Sequence, residues 1–378
     1  MECCVPQNLL MERRISMSKK LITLTPVGRF YFGGDATFET NKGNPNSEYS
    51  SYIVKSNIFP QQTSLLGMLR YLILSNDEIA FDRTKRKIIN TDRAKTLIGE
   101  KSFCVSEDRS FGYIKQLFPC FLQMKKDGES WKDLFFAPKD YKYELIFMDK
   151  IVAGYNEYNF QIPEIVGFDP KSYKEDMLLS EDGDEIKISD IFTEDSRVGI
   201  NKDYEGVSQD SGFYKQISYR LGKEGDTTQY RFAFYADING SCPEKEIVSL
   251  GGDNSQFVLQ IIEKEQSLFP ECYVKHTKSD GYAKIVLLSD SFVNPEIIKD
   301  VMFSISETIP FRYLGTTIKT ESYDILSAEV RRSERLDLYK KGSVFYFENE
   351  DNLNSFASEL NVFGRFSGIG YNTYQIFK

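Results

Sequence analysis

Hydrophobic and polar positions alternate in two rhythms along this chain, and the rhythm is clearest towards the C-terminus. Residues 283–289 (AKIVLLS) form a short apolar run bounded by Gly281 and Asp290, which predicts a strand. Asn294 and Pro295 then open 296–305, where Ile297, Ile298, Val301 and Met302 recur at helical spacing. Asn294 suits an N-cap and Pro295 a first helical turn. Residues 316–326 are rich in β-branched and aromatic side chains and predict a strand. Residues 335–348 follow with a break at Lys341-Gly342, and 343–347 is strongly strand-like. Over 351–360, Leu353, Phe356, Ala357 and Leu360 share one helical face, and 371–377 closes as a strand. The resulting order, β-α-β-β-α-β, is the ferredoxin-like plan.

The N-terminal part starts the same way. Residues 21–32 (LITLTPVGRFYF) predict a strand broken at Pro26. A loop rich in Gly, Asn and Ser, 33–56, leads to a helix over 61–74 carrying Leu65, Leu66, Leu69, Leu72 and Ile73. Later strands are expected at 231–238 and 257–262, so a second ferredoxin-like unit is stretched over 17–263, with 75–230 read as insertions. The fold class is therefore α+β: two ferredoxin-like domains, 17–263 and 264–378, behind a dispensable leader at 1–16. Polar, Gly-containing residues between arm-like flanks place a projecting β-hairpin at about 197–220. The stretch 173–196 holds nine acidic residues against two lysines and reads as a solvated surface loop.

Composition narrows the function. A 41% hydrophobic fraction allows a true core, and 29 Phe and 23 Tyr favour a sheet-heavy one. The six cysteines form no C-x-x-C pair and have no histidine cluster beside them, so neither a zinc site nor a disulfide framework is expected. A reducing, cytoplasmic compartment suits such cysteines. No apolar run is long enough to span a membrane. The net charge of −9 disfavours a free-standing nucleic-acid binder, though not one that shares RNA with other proteins.

Several segments could meet RNA. In 364–370 (GRFSGIG), successive backbone N–H groups could cradle phosphate beside Arg365; a tight turn needing glycine for geometry alone reads the same pattern. Leu250-Gly251-Gly252-Asp253 is a hairpin turn or a close approach of backbone to RNA. Phe30 and Phe32 alternate with Tyr31, which places Tyr31 on the opposite face. Lys55-Ser56-Asn57 and Gln61-Gln62-Thr63-Ser64 enter the first helix, whose first turn is a phosphate seat. Lys202, Tyr204 and Phe213 of the hairpin are available for phosphate contact or stacking. His276, the sole histidine, lies in a Lys-rich loop without an evident Ser or Tyr partner. No nucleophile elbow, Walker loop or paired-Asp phosphoryl-transfer motif is present, so no catalytic residue, metal or cofactor is assigned.

These residues together resemble a family. Residues 59–70 (FPQQTSLLGMLR), the glycine-punctuated hairpin from Val198-Gly199-Ile200 through Gly206 to Gly212-Phe213-Tyr214, Ser249 through Asp253, and 341–347 (KGSVFYF) followed by Gly368-Ile369-Gly370-Tyr371 are similar to RAMP proteins of CRISPR effector complexes. Within these the likeness is to the third-subunit family of the type III-B complex, over about 21–375; relatives more often carry Glu where this chain has Asp253. The resemblance implies a non-catalytic subunit that grips the 5′ handle of the CRISPR RNA. It also implies contacts with the large polymerase-cyclase-type subunit and with the backbone RAMP subunits. Carried over by position, the implied RNA contacts are Lys55, Ser56, Gln61, Gln62, Arg70, Arg197, Lys202, Gly251, Gly252, Arg365, Gly368 and Gly370. The competing readings are a handle-binding subunit of another type III system, a processing endoribonuclease built on His276, and a scaffold without RNA contact.

Overall fold

The computed structural model describes residues 19–34, 36–39, 51–141, 143–145, 150–153, 159–162, 165–166, 176–202, 208–263, 282–318, 331–362 and 364–377. The leader at 1–16, Tyr204 and His276 lie outside the described residues, as do the side chains of Lys202 and Phe213 and most of the strand expected at 316–326.

The first half is built around β1 (Lys20–Pro26), β2 (Ser51–Lys55), α1 (Gln62–Ser75), α2 (Thr91–Ile98), β3 (Phe121–Lys125), β4 (Phe192–Lys202), β5 (Ser208–Leu221), β6 (Gln229–Ile238) and β7 (Gln256–Glu263). Its main sheet is antiparallel and runs β3-β6-β1-β7 at its centre, with the Lys245–Ser249 strand at one edge. Pro26 closes β1, as the sequence indicates. Leu65, Leu69 and Leu72 of α1 press onto Ile22 and Leu24 of β1, Phe232 of β6 and Phe257 of β7. Fully burying each such side chain stabilises the fold by about 1.5–3 kcal/mol. Phe30, Phe32, Phe59, Phe192, Phe232 and Phe257 form one ring cluster; Phe32 stacks on Phe257 with centroids 5.7 Å apart. This is where much of the aromatic richness goes. Phe30 and Phe32 are buried, while Tyr31 between them is half-buried.

The second half contains β8 (Ala283–Leu287), β9 (Phe303–Ile305), β10 (Val344–Phe347), α3 (Glu350–Val362) and β11 (Tyr374–Phe377). Its sheet runs β9-β10-β8-β11, also antiparallel. Numbered within each half, both sheets follow the order second, third, first, fourth. Each half keeps one long helix against its sheet: α1 follows the first strand, and α3 precedes the last. Phe356 of α3 packs on Phe345 with ring centroids 4.9 Å apart. The halves share a core as well. Phe311, Leu338, Phe366, Ile369 and Tyr371 are buried with the α1 cluster.

Four expectations need correction. The helix expected over 296–305 is a 3₁₀ turn, Pro295–Asp300, followed by β9. Asn294 caps it as expected, but Met302 N–H is drawn to Tyr346 O at 2.9 Å and the chain joins the sheet instead. The loop at 33–56 contains two paired strands, Ala36–Glu39 and β2. The stretch 75–230 is not all insertion, because β3 and Lys132–Phe136 belong to the main sheet. The acidic stretch is ordered from 176 onward: Met177–Ser180 and Glu185–Lys187 pair, Ile188–Ile191 is a helical turn, and β4 begins at Phe192. Alternating Leu178, Ile186 and Ile191 supply the apolar side that a solvated loop would lack. Two further expectations lie closer to what is seen. The hairpin forms over β4 and β5, and β5 pairs in parallel with β2. Within 364–370, Gly364–Ser367 is a short helical turn and the rest is irregular.

Candidate nucleic-acid interface

A cleft of about 680 Å³ opens where α1 begins. One wall is α1 itself, through Gln61, Thr63, Ser64, Gly67 and Arg70; another is Tyr31–Gly34 with Asn57; the third comes from the second half, through Pro310–Leu314 and Arg332. Gln61 is extended and offers no side-chain cap; Ser64 N–H is taken by Gln61 O at 2.9 Å, and the Tyr371 hydroxyl lies against the Gln62 and Thr63 N–H groups. Three arginines face this space and no carboxylate does among its described lining residues. For a chain of net charge −9 that is a strong local bias. Tyr31 and Tyr313 add aromatic faces, and burial raises both phenol pKa values.

Arg70 is held at the floor. Its Nε donates to Ile98 O at 2.9 Å and its Nη2 to Gly99 O at 3.2 Å, so it satisfies the C-terminal carbonyls of α2. Burial lowers its pKa to about 10, leaving the charge in place at neutral pH. Arg312 and Arg332 are exposed and form no ion pair with the described residues. They are the cations best placed to meet an anionic ligand.

The residues singled out from sequence divide. Gln61 and Arg70 line the cleft. Lys55 lies at its rim, two positions before Asn57, whose N–H donates to Gly33 O at 2.6 Å. Ser56 is buried: its Oγ accepts from Phe32 N–H at 2.8 Å and donates to Asn57 O at 2.8 Å. Gln62 points away from the cleft, donating from Nε2 to Phe118 O at 2.9 Å and Ile369 O at 3.0 Å. Gly370 has φ +89°, and a Cβ there would lie 1.9 Å from Gln62 Nε2. Gly251 has φ +87°, and its Cβ would lie 2.3 Å from Tyr31 O, the acceptor of the Gly252 N–H. Both glycines therefore let two chain segments touch. Gly368 accepts from Leu117 N–H at 3.0 Å, in the same turn as the half-buried Arg365. Arg197 is exposed on the hairpin, and Lys202 lies near its tip, where the backbone pairs with Ser208.

Sequence reasoning missed Arg312, Arg332 and Tyr313. The signal available was an Arg-Arg pair at 331–332 and a Pro-Phe-Arg-Tyr run at 310–313, both in connecting stretches to which the sequence pattern assigned no element.

The model of the CRISPR-associated protein family Cas_Cmr3 matches residues 22–378. The chain belongs to the Cas_Cmr3 family. Among solved structures, this Cas_Cmr3 member resembles a chain from the cryo-EM structure of the type III-B Cmr-beta complex bound to cognate target RNA. The two are 15% identical, with 94% of this chain and 96% of that one covered and a TM-score of 0.46. A second likeness is to a chain of the crystal structure of the Csm3–Csm4 subcomplex of the type III-A CRISPR-Cas interference complex. Here identity is 12%, coverage 87% and 92%, and the TM-score 0.33. No curated protein matches the chain. Among the described residues, no group of His, Cys, Asp and Glu could hold a metal, and no helix is long and apolar enough to cross a membrane.

Proposed function

We propose that this chain is a non-catalytic RNA-binding subunit of a type III-B CRISPR effector complex, and that it holds the 5′ handle of the CRISPR RNA in the cleft at the start of α1. The observation that carries the reading is the cleft's chemistry: Arg312 and Arg332 opposite Gln61, Thr63 and Ser64 at the start of α1, Arg70 below, and no carboxylate among the described lining residues. Arginine forks match phosphate oxygens, a helix N-terminus favours anions, and aromatic faces such as Tyr31 and Tyr313 accept splayed bases. The common strand order of the two sheets supports reading each half as ferredoxin-like. The hairpin of β4 and β5 is the arm expected to reach along the RNA. The large polymerase-cyclase-type subunit and the backbone RAMP subunits are the proposed neighbours, and target cutting is left to them.

The test is photo-crosslinking of the assembled complex carrying a guide RNA with thiouridine in its handle. Crosslinks to peptides containing Tyr31 or Arg312–Tyr313 are expected. A complex that assembles normally but gives handle crosslinks only to other subunits would sink the reading.

A further inference from the structure

The acidic stretch plays no part in the cleft, yet it is tied down at five of its acids. Asp176 meets Lys139 at 3.0 Å and Lys340 at 2.5 Å; Asp182 meets Lys132 at 2.9 Å. Asp190 meets Lys223 at 2.6 Å, Glu194 meets Lys55 at 2.7 Å, and Asp195 meets Arg220 at 2.8 Å. These pairs differ in kind. Lys139 is 4% exposed and Asp176 14%, so that pair is a fixture of the interior. Lys55 and Glu194 are 53% and 50% exposed, so that pair can open and exchange at little cost; Arg220 is 57% exposed and can leave Asp195, which is 20% exposed.

The exchangeable pairs sit at the base of the hairpin. In β4, Glu194 is opposite Tyr219 and Asp195 is opposite Ser218. Successive strand residues face opposite sides, so one carboxylate guards each face of the hairpin. Lys55 ends β2 at the rim of the cleft, 5.9 Å from the Tyr219 ring. The Glu194 carboxylate also holds the Lys55 ammonium above the ordinary lysine range.

We propose that Glu194 and Asp195 are specificity-determining residues: an internal counter-charge that occupies Lys55 and Arg220, so that an RNA phosphate must displace a carboxylate to reach either cation. This rests on the cleft being the RNA site. RNA that fills the cleft gains enough contacts to displace the carboxylates. RNA that offers only its backbone meets cations already paired, and binds more weakly.

The experiment measures binding of a labelled oligouridylate to the full chain over a series of salt concentrations. Glu194→Gln/Asp195→Asn should bind about three- to tenfold more tightly at low salt. Its log–log salt slope should steepen by about 0.7 for each cation released. Adding Lys55→Gln and Arg220→Gln should remove the gain. The control is Glu348→Gln/Asp351→Asn, which makes the same charge change at exposed positions away from the hairpin and should leave affinity unchanged. Unchanged affinity and slope in the Glu194/Asp195 variant overturns the proposal, and so does an equal gain in the control. A site-specific gain without handle crosslinks in the assembled complex would keep the counter-charge and remove the handle reading.

Discussion

The side-chain amide of Gln62 reaches Ile369 across 307 positions of sequence, with Nε2 donating to the Ile369 carbonyl at 3.0 Å. The same nitrogen donates to Phe118 O at 2.9 Å. One amide thus fixes where α1 begins relative to the first sheet and to the C-terminal turn, and so fixes the floor of the cleft. Replacing Gln62 with Leu strands the buried Ile369 carbonyl and the half-buried Phe118 carbonyl, which costs about 2 kcal/mol. Urea unfolding should show that loss, and unchanged stability would mean the amide is not a clamp.

Gly251 is expected to be intolerant for a reason unrelated to RNA. Its φ of +87° is strained for any L side chain, and a Cβ would press on Tyr31 O. Gly251→Ala should lower stability by about 1–3 kcal/mol even without RNA. A variant of full stability with weakened RNA binding would instead favour direct backbone contact with the ligand.

Gly368 behaves differently. Its φ is not in the left-handed region, and an added Cβ would meet Gly364 O at 3.2 Å, a contact that a small shift relieves. Gly368→Val should therefore assemble and keep most of its stability, while weakening handle binding if RNA backbone approaches this turn. Equal RNA affinity in the assembled variant removes the turn from the RNA site.

Asp176 predicts a pH dependence. Burial opposes its ionisation, but Lys340 and Lys139 more than offset this and hold its pKa at about 2. A carboxyl depressed in the folded state contributes stability above its unfolded pKa of about 3.9, and that stability is lost as pH falls towards the folded value. The contribution is about 2 kcal/mol at neutral pH. Stability should fall between about pH 4 and pH 2. Asp176→Asn should flatten that part of the profile, and a profile identical to the parent's would refute the assignment.

Much of the framework was legible in the chain. The leucines of α1 recur at helical spacing over fourteen residues without Pro, so the segment reads as a helix, and its apolar residues around most of the circumference mark it as buried. Pro26 cannot extend the ladder, and β1 ends there. Ser343–Phe347 and 351–360 are bounded by glycine and acidic residues, and they appear as β10 and α3. Local periodicity determined these elements because each depends on neighbours within a few residues. The stretch 296–305 shows the limit. Its apolar spacing fits a helix, but pairing with Tyr346, some forty positions away, draws its last three residues into the sheet.

The site was less legible. Arg70, in a motif that looked made for RNA, caps α2, and Gln62 turns inward, because the carbonyls each one meets are delivered by distant segments. Arg312 and Arg332 reach the cleft only because the second half packs onto α1. The acidic stretch is folded because Met177–Ser180 pairs with Lys132–Phe136 and buries Leu178, Leu179 and Ile191, while cations from separate regions neutralise its carboxylates. The sequence alone decides which face of an element is apolar, since that follows from the period of a single segment. Which polar group faces a ligand is decided when elements meet, because a hydrogen bond or ion pair needs its partner at about 3 Å and only tertiary packing sets that distance.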